Sequence, residues 1–196
     1  MPPRVTALRP EQRGRIAVEL DGARWRTVPV DVAATVGLVV GRELDRPAVR
    51  ELRRALRRSE ALASATKTLR HRDVSSQRLA QRLEAAAVAP AARADALDVL
   101  ARAGVVDDAR FAERRADALA ERGFGDDAIR DDLERQGVPS ELRDQAVAAL
   151  PDESARARKI VARRGLGPKT ARYLSAKGFG EDAVEAALAG SIAADT

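Results

Sequence analysis

The stretch Ile129-Arg130-Asp131-Asp132-Leu133-Glu134-Arg135-Gln136-Gly137-Val138-Pro139 decides the fold. Ile129 and Leu133 stand one helical turn apart, with charged residues between them. Gly137 stops that helix and Pro139 marks the turn into the next, which carries Val147 and Leu150 inward. The same pattern recurs on both sides. Upstream, Leu79 and Leu83 precede Val88, Pro90, Leu97 and Leu100; downstream, Leu174 precedes Phe179, Gly180, Val184 and Leu188. The steps Leu83–Val88, Leu133–Val138 and Leu174–Phe179 are each five residues, and Val88–Leu97, Val138–Val147 and Phe179–Leu188 are each nine. A further helix precedes each pair, over 60–71, 108–122 and 153–164. The unit is three short helices, repeated three times at about 40 to 50 residues. One unit is too small to bury its own core, so neighbours must stack. The expected fold is mostly α: an elongated array of three tandem three-helix repeats over 59–106, 107–151 and 152–190, with 191–196 as a tail.

Residues 1–46 read differently. Arg15-Ile16-Ala17-Val18-Glu19-Leu20 alternates polar and apolar, the period of a half-buried strand. Asp21-Gly22 is a hairpin signal, Trp25-Arg26-Thr27-Val28 returns as a second strand, and Pro29 ends it. Val5-Thr6-Ala7-Leu8 is a further short-strand candidate. A small N-terminal β-hairpin element therefore precedes the helices, with Trp25 read as a core anchor rather than a base-stacking platform. Asp31 is a candidate cap for a short helix ending at Gly37. Pro47 suits a first helical turn, and Val49, Leu52 and Leu56 form the inward stripe of a linking helix over 47–58. Ser59 is the candidate cap of the helix that follows, with Leu62, Ala65 and Leu69 inward.

Composition narrows the chemistry. The 196 residues are 45% hydrophobic but only 3% aromatic, so the core must be built from Ala, Leu and Val. There is no Cys, and the single His71 gives neither a thiolate site nor a His cluster. His71, between two arginines, reads as a surface residue. No nucleophile–base pair can be named, so no enzyme, cofactor or metal is expected. Gly165-Leu166-Gly167-Pro168-Lys169-Thr170 bears only a superficial likeness to a phosphate loop: its spacing is wrong, and Pro168 fits a helix start. Asp126 and Asp127 suit a helix N-terminus, with Asp131 and Asp132 read as solvent-facing. No secretory signal is visible, and the apolar run from Val32 to Gly41 is half of what spans a bilayer, so a cytoplasmic protein is expected.

The net charge of +5 is uneven. Residues 1–60 carry 13 bases and 8 acids, 61–105 carry 7 and 4, 106–150 carry 7 and 12, and 151–196 carry 8 and 6. A basic chain points to a polyanion. An acidic centre gains nothing from coating nucleic acid alone, so a mixed protein and nucleic-acid partner fits better.

One junction carries a resemblance. In Gly104-Val105-Val106-Asp107-Asp108-Ala109-Arg110-Phe111-Ala112, Gly104 ends a helix, Val105 and Val106 pack beneath the joint, Asp107 or Asp108 caps the next helix, and Phe111 enters its core. This stretch resembles the corresponding junction of the RecX family, the regulators of the RecA recombinase. Arg122-Gly123-Phe124-Gly125 with Gly137-Val138, and Arg164-Gly165-Leu166-Gly167-Pro168 with Lys177-Gly178-Phe179, are similar to the later repeats of that family. The N-terminal Leu20-Asp21-Gly22 and Gly37 to Leu44 resemble an extension found in part of it. Two departures stand out: Asp126 and Asp127 occupy positions that are often basic, and Ala86-Ala87-Val88 replaces a basic residue and glycine in the first repeat. The resemblance implies a monomer that binds the RecA–DNA filament, and inhibits its ATPase and strand exchange or blocks its growth, in recombination, DNA repair and the SOS response. The basic faces carrying Arg50, Arg54, Arg57, Arg78, Arg82, Arg156, Lys159, Arg163, Lys169 and Arg172 are the candidate contacts to RecA or DNA. The acidic second repeat is the candidate match for basic filament loops. A stand-alone basic DNA-binding module is the competing expectation; it predicts tight, salt-sensitive binding to free DNA.

Overall fold

A computed structural model describes residues 1–70 and 73–192. His71 and the end of the 191–196 tail lie outside those residues. The chain divides into two compact units, Met1–Arg72 with Leu79–Ala103 and Asp73–Arg78 with Gly104–Thr196.

The first unit opens with three antiparallel strands in order β1 (Val5–Glu11), β2 (Arg15–Leu20) and β3 (Ala23–Pro29). The hairpin expected at Asp21-Gly22 is present, with both residues at positive φ (49° and 82°), as a tight two-residue turn requires. The expected element is enlarged by Val5–Glu11, which pairs along β2 with a register shift at Thr6. The alternation of β2 puts Val18 in the core with Val5 and Val28, and Ile16 and Leu20 pack against it. Trp25 is not a core anchor. A register break between Val18 and Glu19 leaves it opposite no partner residue, so it is turned outward, 39% exposed, beside Arg26. Helix α1 (Val30–Thr35) follows directly on Pro29; Asp31 lies within its first turn instead of capping it.

Helix α2 (Arg46–Leu69) is capped by Asp45, whose Oδ1 accepts the Ala48 N–H at 2.8 Å, and Pro47 occupies its first turn. It is one continuous helix, so Ser59 caps nothing. Ser59 lies mid-helix with its hydroxyl turned to Asp31 Oδ2 at 3.2 Å, and the good helix formers around it carry the backbone through. Leu52 and Leu56 complete the sheet core. Further along, Ala61 packs against Ala92 and Ala96 of α4 (Pro90–Arg102). Only small side chains at such a seam let two helices approach closely. Helix α3 (Ser76–Ala85) buries Leu79 and Leu83.

The second unit holds α5 (Asp108–Glu121), α6 (Asp126–Arg135), α7 (Ser140–Ala148), α8 (Glu153–Arg164), α9 (Pro168–Ala176) and α10 (Glu181–Ile192). Phe111, Ile129, Leu133, Val138 and Val147 form one core; Leu174, Phe179 and Val184 enter another with Val161. The five-residue step is a hydrogen bond. Val88 N–H donates to Leu83 C=O, Val138 to Leu133 and Phe179 to Leu174, at 2.9, 3.0 and 3.2 Å. Between each pair sits a left-handed residue: Ala87 (φ 57°), Gly137 (φ 77°) and Gly178 (φ 77°). The first turn, which lacks glycine, is thus made the same way, with alanine forced into the glycine conformation. At the junction, Gly104 is left-handed (φ 64°), Asp107 is the cap, Val106 is buried and Val105 is exposed.

Candidate recognition surface

The second unit brings a set of chemically distinctive side chains to the start of α6. Gly125 N–H donates to the Lys177 carbonyl at 2.9 Å and Asp127 N–H to the Gly178 carbonyl at 3.1 Å, so two backbones meet directly. A Cβ at Gly125 would overlap the Gly178 carbonyl. Glu153 bridges the joint: Oε1 accepts the Asp126 N–H at 2.6 Å and Oε2 the Gly180 N–H at 3.3 Å. Arg156 closes it. Nε donates to the Pro151 carbonyl at 3.0 Å, Nη1 to the Phe124 carbonyl at 2.9 Å, and Nη2 pairs with the Asp126 carboxylate. Arg156 is only 8% exposed, so it is a structural clasp and not the surface contact its charge suggested. An equivalent joint stands earlier in the chain. Asp108 Oδ1 accepts the Ser76 N–H at 2.7 Å, and the Ser75 hydroxyl donates to the Gln136 carbonyl. Asp108 and Glu153 each open a helix and each satisfy the first N–H of the helix two before it, α3 and α6.

Beside the clasp lies a groove of about 580 Å³. Ala120, Leu150, Ile160 and Phe179 give it an apolar floor, and Arg122, Lys159, Arg163 and Arg164 stand around it with Asp117 and Glu121. All six charged residues are exposed, and none makes an ion pair among the described residues. Cations and rings alternate along one side. Arg122 lies 5.5 Å from the Phe124 ring centre, Lys177 lies 4.1 Å from Phe124 and 5.9 Å from Tyr173, and Arg164 lies 4.0 Å from Tyr173. Each contact biases a cation toward its ring at modest energetic gain, about 0.5–1 kcal/mol where exposed. Lys159 and Arg163 were legible as contact candidates. Arg122, Arg164 and Tyr173 were not, although the two arginines share a signal: each is the basic residue immediately before a Gly-hydrophobic-Gly turn.

The first unit has its own basic face. Arg50, Arg53, Arg54 and Arg57 of α2 flank a hollow of about 410 Å³ beside Ala92 and Asp95. Arg50, Arg54 and Arg57 are exposed, as expected. On α3, Arg82 is exposed and Arg78 is half-buried. Lys169 and Arg172 are exposed on α9, with Arg172 Nε donating to the Pro168 carbonyl at 3.3 Å. Thr170 turns inward: its hydroxyl donates to the Gly165 carbonyl at 2.8 Å and ties the turn before α9.

The acidic stretch 106–150 is largely spent on folding. Asp107 caps α5, Asp108 holds Ser76, Asp126 pairs with Arg156, Asp127 and Asp144 with Arg130, and Glu134 with Arg143. Asp132 does not face solvent freely. Arg115 donates to it through Nε at 2.8 Å and Nη2 at 3.0 Å. The hydrogen bonds from Arg115 hold the Asp132 carboxyl below its ordinary range, against the opposing pull of burial, and raise the Arg115 guanidinium in turn. Among the described residues no helix is long and apolar enough to cross a membrane.

Comparison with known proteins completes the picture. Residues 107–147 match the family model of the RecX second three-helix domain. The chain is 35% identical over 134 residues to regulatory protein RecX of Chromohalobacter salexigens, covering 64% of this chain and 88% of that protein. It is 34% identical over 119 residues to regulatory protein RecX of Trichlorobacter lovleyi, covering 58% and 77%. Among solved structures, a crystal structure of regulatory protein RecX superposes with a TM-score of 0.82 at 18% identity, over 93% of this chain and 97% of that one. RecX from Lactobacillus salivarius gives 0.62 at 15% identity, over 68% and 96%. These two establish a shared fold.

Proposed function

Because the chain belongs to the RecX family of regulatory proteins, we propose that it acts without catalysis of its own, as a cytoplasmic monomer that binds the RecA–DNA filament and restrains its ATPase and strand exchange. The three-repeat organisation over 59–106, 107–151 and 152–190 is part of the proposal. One observation carries it. Among the described residues, the exposed cations of α2 in the first unit and of the groove in the second are in no ion pair, while most carboxylates of the acidic stretch are consumed internally. Two clusters of exposed, unpaired cations are set up to meet anionic surface.

The reading revises the expected charge match. The acidic stretch is less of an open surface for basic filament loops than its charge count suggests, since seven of its twelve carboxylates cap helices, hold a backbone N–H or close ion pairs. The candidate contacts are Arg50, Arg54, Arg57, Arg78, Arg82, Lys159, Arg163, Lys169 and Arg172, joined by Arg122 and Arg164; Arg156 is removed from that set.

The test adds purified protein to RecA-driven strand exchange and ATP hydrolysis. Inhibition at amounts comparable to RecA is expected, and no effect at those amounts sinks the reading. Free-DNA binding is measured alongside. Affinity for bare DNA equal to that for the filament favours a stand-alone DNA-binding module instead.

A further inference from the structure

We propose that the groove of the second unit takes a segment of polypeptide with an apolar anchor side chain flanked by carboxylates, and does not take nucleic acid. The inference rests on the recombinase reading only for where that segment comes from, RecA itself.

Three features point to it. The floor is apolar, made by Ala120, Leu150, Ile160 and Phe179. A phosphodiester strand has nothing to place on such a floor except an unstacked base. An apolar side chain fills it and releases the water it holds. Second, two of the cations rest on rings. Arg164 lies 4.0 Å from the Tyr173 ring centre and Arg122 5.5 Å from that of Phe124, and a guanidinium resting on a ring keeps its N–H edge free for paired carboxylate oxygens. Third, Asp117 and Glu121 stand at the same opening and are not neutralised by any ion pair among the described residues. A nucleic-acid strand carries a negative charge at every nucleotide and cannot skip a position, so its phosphates would have to pass these carboxylates. A polypeptide places its charges residue by residue and can set a neutral or basic residue there. Four cations against two carboxylates leave the opening positive, which selects for an acidic segment without selecting for uniform charge density.

The experiment uses the full chain and two exposed positions outside the cores, in the double variant Lys159→Glu/Arg163→Glu, with unchanged thermal melting as the check on folding. Short overlapping peptides covering the RecA sequence are immobilised and probed with native and variant protein. An oligo-dT strand is titrated separately. Native protein is expected to retain peptides that carry both acidic and apolar residues, and the variant to bind them about tenfold or more weakly. Oligo-dT binding is expected to change little. The proposal is overturned if no peptide is retained, if the variant retains the same peptides equally well, or if the variant loses oligo-dT binding instead. Strand exchange separates the two readings. If native protein inhibits and the double variant inhibits equally, the groove inference fails and the proposed function stands. If native protein has no effect, the proposed function fails on its own.

Discussion

Three equivalent turns, one closed by alanine and two by glycine, allow a stability test whose sign changes along the chain. Ala87, Gly137 and Gly178 share the left-handed conformation, and the residue after each donates to a carbonyl five positions back. Alanine there costs about 1–2 kcal/mol relative to a relaxed backbone. Replacing it by glycine removes that strain and returns about 0.4–1 kcal/mol through the greater freedom of the unfolded chain. Ala87 is exposed, so no packing is lost. Ala87→Gly should therefore stabilise the first unit by about 0.5–1 kcal/mol, a rise in Tm of about 2–4 °C per kcal/mol for a chain of this size. The reverse changes differ by what a new Cβ meets. At Gly137 it overlaps the side chain of exposed Gln77; the amide end can swing away, but the Gln77 Cβ at 2.8 Å moves only with its backbone, so overpacking adds to the loss of about 1–2 kcal/mol for the backbone conformation. At Gly178 it lies 2.5 Å from the backbone N and the Cβ of Ala128, in the first turn of α6, which cannot swing away. Overpacking adds about 1–3 kcal/mol to the conformational cost. Urea unfolding followed by circular dichroism measures all three. Ala87 belongs to the first unit and the two glycines to the second, so transitions are fitted separately if they do not coincide. A destabilising Ala87→Gly, or either glycine replaced by alanine at no cost, refutes the shared-turn reasoning.

Asp132→Asn should cost about 1 kcal/mol at neutral pH, because the Arg115 pair is half-buried and doubly hydrogen-bonded. The folded carboxyl is depressed, so its contribution is present above the unfolded value near ~3.9 and fades as pH falls through the folded one. Stability curves of native and variant protein should therefore converge in acid; a constant gap across pH contradicts the assignment. Arg156→Ala should cost about 3 kcal/mol by thermal unfolding, since it strands the Asp126 carboxylate and the Phe124 carbonyl; a loss typical of an exposed arginine removes the clasp. Trp25 is the sole tryptophan and is exposed, so its emission should shift little on unfolding, and a blue-shifted native spectrum would place it in the core after all. Arg54→Glu/Arg57→Glu should weaken filament binding and flatten its salt dependence without lowering Tm; unchanged binding takes α2 out of the contact surface.

The sequence by itself determined the periodic part of this protein. Ile129, Leu133, Val138 and Val147 enter one core because helical period and turn spacing are local properties of the chain. The junction at Gly104, Asp107 and Phe111 was legible for the same reason: a left-handed residue, a cap and an inward aromatic act within a few residues of one another. Continuity of α2 is a contest between the capping propensity of Ser59 and the helix formers on both sides of it, which the sequence alone does not rank; the outward turn of Trp25 was not legible because it depends on the register of β3 against β2. The candidate site divides the same way. Basic positions on helix faces could be named, but a charge does not reveal its partner until the chain has folded. Arg156 and Lys159 lie three residues apart on α8, and the fold buries one against Phe124 and Asp126 while leaving the other at the edge of the groove. Which charges remain free is fixed by contacts 30 residues distant in sequence, and so only the tertiary structure decided what this surface has left to bind with.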